Sequence, residues 1–318
     1  MVQRTLVAKD AKLPRIHSSF PKQQPVISLL TDFGRDEAVH LIKSAARYVN
    51  PRARIRDITH EVPAFNVLSG AWRLSRVVTD KTQREGTIYV AVVDPGVGGE
   101  RECLIVRTKT GKYLVGPNNG LLSLAFQKEG IDVAVSIENT ELTLLKLADS
   151  VTFHGKDIFA PAAAHLAAGV PIDEFGPRVN EVVQVDQKVV LQTIHLEAEK
   201  ENYPEATHRT GWLVDIDNFG VLRTNLPNHL GAEYVGKTAE LTIHSHDTHP
   251  LSFFRAQVTL TDNFESVARG ELIAVLSSTG CLDIAANLAS ASEITKIGFD
   301  SVGLDGHRPI TQVHLKVI

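Results

Sequence analysis

A chain of 318 residues exceeds the usual size of a single core, so two domains are expected. Hydrophobic residues make up 43%, charged residues 22%, and the net charge is −4, an ordinary globular composition with no basic footprint for nucleic acid or anionic membrane. No apolar run reaches membrane-span length, and the two cysteines, Cys103 and Cys281, lie far apart, which argues against a disulfide scaffold or cysteine-rich zinc site and suits a reducing cytoplasm.

Residues 1–25 carry Arg4, Lys9, Lys12, Arg15 and Lys22 against Asp10, with no helical or strand period. They lack the apolar segment of a secretory signal and read as a flexible basic extension, a mobile or partner-binding arm, with an organelle transit peptide as the alternative. Order is expected from Val26–Leu30, a buried strand ending in Thr31-Asp32-Phe33-Gly34. Helical spacing follows over Asp36–Asn50, stopped by Asn50-Pro51. A strand over Ala53–Ile58, a helix over Val67–Val78 and a strand over Thr87–Val93 continue the alternation. Repeated β–loop–α predicts a mostly parallel sheet flanked by helices. Strands over Glu102–Arg107 and Tyr113–Gly116, a helix over Leu121–Glu129 and an alanine-rich helix over Ile158–Ala168 complete this part. Asp32 and Asp157 each stand where a carboxylate caps the helix that follows.

Beyond Gly169 the pattern becomes short alternating runs: Gly211–Ile216, Ala239–His244, Phe253–Leu260, Glu271–Leu276 and Val313–Val317. Regular short strands between turn residues predict an antiparallel barrel or sandwich. The expected organisation is a flexible extension over 1–25, an α/β domain over 26–188, and a β domain over 189–318.

The chemistry concentrates in polar loops that follow sheet elements. Val90–Val93 leads into Asp94-Pro95-Gly96-Val97-Gly98-Gly99-Glu100-Arg101, a buried strand running into a glycine-rich turn. Asp94 thus sits at a strand's carboxyl end, where open α/β sheets gather ligand groups. Read alone, the turn is equally a strand end with an Asp–Arg surface pair. Asp32, Asn118 with Asn119, and His154 lie on three other such loops. A carboxylate, a guanidinium and an imidazole together can orient and polarise a water molecule. His40, His60 and His165 read as structural, and Phe65 and Trp72 as core. No H-x-H or H-E-x-x-H pairing occurs in these loops, so a metal site is the weaker reading.

Taken in order, four motifs are more specific than any one. Thr31-Asp32-Phe33-Gly34, Asp94-Pro95-Gly96-Val97-Gly98 with Arg101, Pro117-Asn118-Asn119-Gly120-Leu121-Leu122, and Thr152-Phe153-His154-Gly155-Lys156-Asp157-Ile158-Phe159-Ala160-Pro161 resemble the S-adenosyl-L-methionine hydroxide adenosyltransferase family. That family is related to fluorinase and chlorinase enzymes, and the resemblance spans roughly Val26–Val317. It implies an α/β domain joined to a β-barrel-like domain, homotrimers with substrate between neighbouring subunits, and no cofactor or metal. It implies hydrolysis of S-adenosyl-L-methionine to adenosine and L-methionine by attack of water or hydroxide on ribose C5′. Asp94, Arg101 and His154 match the family's catalytic triad, and Asp32 the aspartate that takes both ribose hydroxyls.

Phe65 falls where a relative places an aromatic lid, and Asn119 adds hydrogen-bonding groups. Asp217-Asn218-Phe219-Gly220 resembles the stretch in which Asp217 meets the amino-acid ammonium and Phe219 stacks on adenine. Ser278 matches a hydrogen-bonding serine at the purine end. Halogenating relatives carry a tyrosine-type residue at the Asp94 position and a tyrosine–serine pair at His154-Gly155, which points away from halogenation here. Val221 departs from the family's asparagine, so adenine selection is expected to be weaker. A metal-dependent phosphoesterase using Asp32, Asp94, His154 and Asp157, and an inactive S-adenosylmethionine or adenosine sensor, are the alternatives.

Overall fold

The computed structural model describes residues 25–147, 152–185, 208–230, 232–245, 253–305 and 308–318. The basic extension expected over 1–25 lies outside the described residues apart from Pro25, as does residue 189, where the second domain was expected to begin. The chain packs as two compact units. One comprises the residues up to Glu61 with Lys81–Asn118 and Gly130–Glu181; the other comprises Val62–Asp80, Asn119–Glu129 and Val182–Ile318.

The first unit holds β1 (Val26–Thr31), α1 (Ala38–Val49), β2 (Arg54–Thr59), β3 (Ile88–Val92), β4 (Cys103–Thr108), β5 (Tyr113–Pro117), β6 (Ile131–Ser136) and α4 (Ala160–Ala167). Helices α2 (Val67–Val78) and α3 (Ser123–Glu129) belong to the second unit. The sheet order is β2-β1-β3-β5-β4-β6. Strands β2, β1, β3 and β5 run parallel, while β4 is antiparallel to both β5 and β6. Continuous β-branched and apolar runs make β1 and β3 interior strands, and every residue of β3 is buried.

Helix α1 turns Ile42, Ala45, Ala46 and Val49 inward, and alanine-rich α4 offers little bulk. Both pack on the sheet face lined by Ile27, Leu29, Val90, Val92, Ile105 and Val115. Burying each large aliphatic side chain there contributes about 1.5–3 kcal/mol. Thr31 of β1 stands beside Val92 of β3, so the loops carrying Asp32 and Asp94 leave adjacent strands at the same end of the sheet.

Two expected caps differ. Asp36, not Asp32, accepts the exposed Ala38 N–H at the start of α1, at 2.8 Å. Asp157 lies inside a π-helical turn, Gly155–Phe159, that runs into α4, and it pairs with Lys156 at 2.7 Å. The wide turn forms before the regular helix starts, which takes Asp157 out of a capping position.

The second unit centres on a closed barrel, β10-β11-β12-β8-β7-β15-β9. Its strands are β7 (His208–Ile216), β8 (Leu222–Thr224), β9 (Thr238–Ser245), β10 (Phe253–Thr261), β11 (Leu272–Leu276), β12 (Leu282–Ala286) and β15 (Thr311–Val317). A short hairpin, β13 (Leu304–Asp305) with β14 (Arg308–Pro309), precedes the last strand, and α5 (Ala291–Thr295) follows β12. Where an all-antiparallel barrel was expected, β10 and β11 pair in parallel. Strands β6, β8 and β12 escape the sequence reading. β8 spans 3 residues, and β12 ends in two alanines, which have low strand preference.

Helices α2 and α3 pack against the barrel through Leu68, Ala71, Trp72 and Leu124. Asn66 caps α2 by accepting from Ser69 N at 3.0 Å and donates to Val302 O at 2.7 Å. A bulge between Leu213 and Asp215 on β7 turns Asp215 toward α2. There its carboxylate accepts from Ser69 Oγ at 2.5 Å and from Arg73 Nε and Nη2, each at 3.0 Å.

Candidate active site

The site is clearest in the first unit. After β3, Val93 is fully buried and Asp94 begins a double turn, with Val97 N donating to Asp94 O at 3.2 Å and Gly99 N to Gly96 O at 3.0 Å. Gly98 takes the left-handed conformation, φ +80°, that a side chain would strain. The chain therefore reverses within a few residues and returns Arg101 over Asp94.

Arg101 Nε donates to Asp94 Oδ1 at 3.0 Å, and Nη2 donates to Asp94 Oδ2, giving a bidentate pair. Nη2 also lies 2.7 Å from His154 Nδ1, and Nη1 donates to Cys103 Sγ at 3.0 Å. The Phe159 ring lies under the guanidinium at 5.7 Å. The Asp94 and Arg101 side chains are only 4% and 11% exposed, so little water screens this pair. Burial opposes the Arg101 charge, but the hydrogen bonds and charge of Asp94 and Cys103 together outweigh it and hold the guanidinium pKa above its ordinary value. Arg101 is thus a permanent cation with all its donors aimed.

His154 precedes the π-helical turn, and Gly155 lets that turn approach α1. A Cβ at Gly155 would stand 3.0 Å from Ile42 Cδ1. The Phe33 and Phe153 rings meet edge to face at 5.9 Å, joining the Asp32 loop to the His154 loop. A guanidinium has no lone pair to offer, so the Arg101 contact makes His154 Nδ1 the acceptor and places the ring proton on Nε2. Imidazole therefore presents a donor at its far nitrogen.

Cys103 is a member of this cluster that the sequence reading used only as a redox marker. Its Sγ is 3.7 Å from His154 Nδ1. Burial pushes the Cys103 thiol up, against the pull of Arg101, and burial likewise pushes Cys281 up to about 11. Both cysteines should therefore resist alkylation by iodoacetamide at pH 7–8 and react only after unfolding, as read by mass spectrometry. Rapid labelling of native Cys103 would show a thiolate and contradict this environment.

The remaining candidates take varied places. Asp32 is half-buried on the loop after β1. In the second unit, Asn119 Oδ1 accepts from Leu121 N at 3.1 Å, turning the chain into α3. Phe65, read as core from sequence, is 72% exposed in a left-handed conformation, φ +64°, whereas Trp72 is buried. Asp217 Oδ1 accepts from Phe219 N at 2.9 Å and Val221 N at 3.0 Å, and its Oδ2 from Arg223 at 2.6 Å. That folded-back carboxylate builds the turn that leaves Phe219 80% exposed.

Gly220 in the same turn has φ +75°, and a Cβ there would lie 2.0 Å from Ser290 Oγ. Arg223 reaches on to the fully buried Asp283 at 2.5 Å, a link invisible in the sequence. Ser278 is exposed at the tip of the β11–β12 turn, which Ser277 and Thr279 hold together. Val221 is buried against Ile273, Val275 and Ala285, part of the apolar packing. Among the described residues no group of three or more His, Cys, Asp or Glu is placed to hold a metal ion.

Polar groups gather at the carboxyl ends of parallel strands, and a closed β-barrel lies in the same chain, which defines a two-unit α/β and β-barrel protein. The sequence matches the S-adenosyl-L-methionine hydroxide adenosyltransferase amino-terminal domain over residues 27–176 and its carboxyl-terminal domain over residues 211–302. The (R)-S-adenosyl-L-methionine hydrolase of Salinispora tropica is 34% identical over 271 residues, covering 85% of this chain and 93% of that protein. A fluorinase of Actinopolyspora mzabensis is 25% identical over 84% of this chain and 92% of its own length. The crystal structure of an uncharacterized conserved protein from Thermotoga maritima superposes with a TM-score of 0.72 at 30% identity, covering 92% of this chain and all of that one. The chain belongs to the S-adenosyl-L-methionine hydroxide adenosyltransferase family.

Proposed function

We propose that the protein hydrolyses S-adenosyl-L-methionine to adenosine and L-methionine, acting on the (R) sulfonium isomer. The carrying observation is the buried Asp94–Arg101–His154 cluster. The hydrolase named for Salinispora tropica supports the substrate and the isomer. Water attacks C5′, the new C5′–O bond forms as C5′–S breaks, the bonding pair returns to sulfur to give the neutral thioether of methionine, and the surplus proton of the water passes to solvent. A sulfonium needs no acid to leave. The difficulty lies in the nucleophile, since bulk water has a pKa of about 15.7.

Arg101 supplies positive charge, and His154 a fixed Nε2–H donor, for the oxygen as it becomes hydroxide-like. Asp94 accepts a hydrogen bond from the same water and orients it. A halide at this position would face the Asp94 carboxylate, which argues for oxygen as the nucleophile. Asp32 takes the ribose hydroxyls, Phe219 stacks on adenine and Phe65 covers the ribose. Asn119, Asp217 and Ser278 supply further polar contacts, with Asp217 toward the ammonium. Because Val221 packs in the apolar interior, its place at the family's asparagine position leaves adenine to be read by other groups.

The reading requires no cofactor or metal, and it includes a homotrimer with sites completed between subunits and a cytoplasmic setting. Chromatography of the purified protein with S-adenosylmethionine should show adenosine and methionine in equal amounts, unaffected by a chelator and faster with the (R) isomer. No adenosine over hours, or turnover abolished by the chelator, would overturn it.

A further inference from the structure

Sequence patterning leaves His60 a structural histidine. In the folded chain it holds both ends of the loop that carries Asp32. At one end, its Nδ1 lies 2.9 Å from Thr31 Oγ1, and the same hydroxyl oxygen accepts from Phe33 N at 3.2 Å. At the other, its backbone carbonyl accepts from Gly34 N at 2.6 Å. Asp32 sits between these anchors. The imidazole is itself held, since Nε2 lies 3.1 Å from Asp57 Oδ1, and Lys43 of α1 donates to Asp57 Oδ2 at 2.6 Å. Burial pushes the Asp57 carboxyl up, but Lys43 and His60 outweigh it and the pKa lies below its ordinary value. Asp57 therefore stays charged and in place across the neutral range.

We infer that His60 is a positioning residue for the nucleoside subsite: through Thr31 and Gly34 it fixes the loop so that the Asp32 carboxylate meets the ribose hydroxyls. The inference rests on the function proposed above. The His60 side chain is 13% exposed, so it is packed rather than solvated, yet it touches no substrate in this reading. Loops otherwise sample many conformers, and a carboxylate that must accept two hydrogen bonds at once loses affinity when its backbone wanders. A purely structural histidine would affect stability alike whether or not Asp32 is present. A positioning histidine acts only through Asp32.

The test combines two measurements on His60→Ala, Asp32→Ala, the double variant and His60→Asn, whose amide can again meet Thr31. Adenosine affinity is measured by calorimetry, and exchange of the Phe33 and Gly34 amides by hydrogen–deuterium mass spectrometry. Expected are faster exchange at the Phe33 amide in His60→Ala, with the Gly34 amide, bonded to the main-chain carbonyl of residue 60, changing less, and adenosine binding weakened about tenfold, with recovery in His60→Asn. The double variant should bind no more weakly than Asp32→Ala alone, the signature of two residues in one network. Additive losses in the double variant, or unchanged loop exchange, would overturn the inference. If His60→Ala does not fold, His60→Asn and Asp32→Ala still report loop exchange and affinity. If the parent binds no adenosine, the proposed function fails, while the exchange data still decide whether His60 clamps the loop.

Discussion

Replacing Arg101 by methionine is expected to lower kcat for S-adenosylmethionine hydrolysis by about 10²–10⁴-fold, with a smaller change in KM. Loss of one preorganised electrostatic group at a developing oxyanion costs about 10²–10³-fold. Arg101 does more than donate, because it holds Asp94 through two bonds and His154 through a third. Methionine keeps the bulk over Phe159 but removes the charge and every donor. It also leaves Asp94, 4% exposed, as an uncompensated buried charge, which costs about 3–5 kcal/mol of stability. The two effects separate in Arg101→Lys, which keeps a cation and so relieves the burial cost. A point ammonium cannot reproduce the fork, so its rate should still fall well below the parent. Single-turnover kinetics at saturating substrate, with denaturant unfolding of the same variants, decides the matter. A methionine variant as fast as the parent would remove Arg101 from the mechanism.

Asp215→Ala should destabilise the protein by about 3–5 kcal/mol, because it strips the partner from a mostly buried guanidinium. Asp215 is 7% exposed, and Arg73, 18% exposed, gives it two bonds while Ser69 adds a third. Arg73 Nη2 also donates to Ile216 O at 3.1 Å, so a displaced guanidinium would disturb the strand. Burial pushes the Asp215 carboxyl up, and Arg73 and Ser69 offset that only in part. A raised carboxyl pKa means that the folded state holds the proton more tightly than the unfolded state. Its contribution to stability therefore falls as pH rises from the ordinary carboxyl value through the raised one.

The penalty of Asp215→Ala belongs to the orphaned cation. The triple variant Ser69→Ala/Arg73→Met/Asp215→Leu should consequently be less destabilised than Asp215→Ala alone. Denaturant unfolding monitored by near-UV circular dichroism reads both. A single variant within 1 kcal/mol of the parent would show that this network contributes little, far below the about 3 kcal/mol minimum expected.

The difference between these two regions shows what could be read from residues alone. Asp94, Arg101 and His154 were legible because each stands in a contiguous motif next to a strand or helix with strong patterning. Strand β3 and helix α2 were equally legible, since β-branched runs and helical apolar spacing leave a local trace. Cys103 and His60 left no such trace. Cys103 stands two residues from Arg101, but its meeting with His154 spans 51 residues, and His60 acts across 29 residues on Thr31. Phe65 was read as core because aromatic residues usually are, yet a left-handed backbone turns it outward.

Composition and local pattern by themselves determined the class: a sheet unit and a barrel unit, polar loops at strand ends, and a set of motifs matching one family. The sheet pattern and the short-strand pattern follow from side-chain periodicity and turn chemistry, which act over a few residues; the family is a resemblance carried by the motifs. Tertiary structure alone decided the rest: the bidentate geometry of Arg101, the proton on His154 Nε2, the burial of Val221 and the clamp on the Asp32 loop. Hydrogen bonds and burial depend on which distant atoms arrive within about 3 Å. No local spacing specifies that; the sheet register, the β7 bulge and the π-helical turn do.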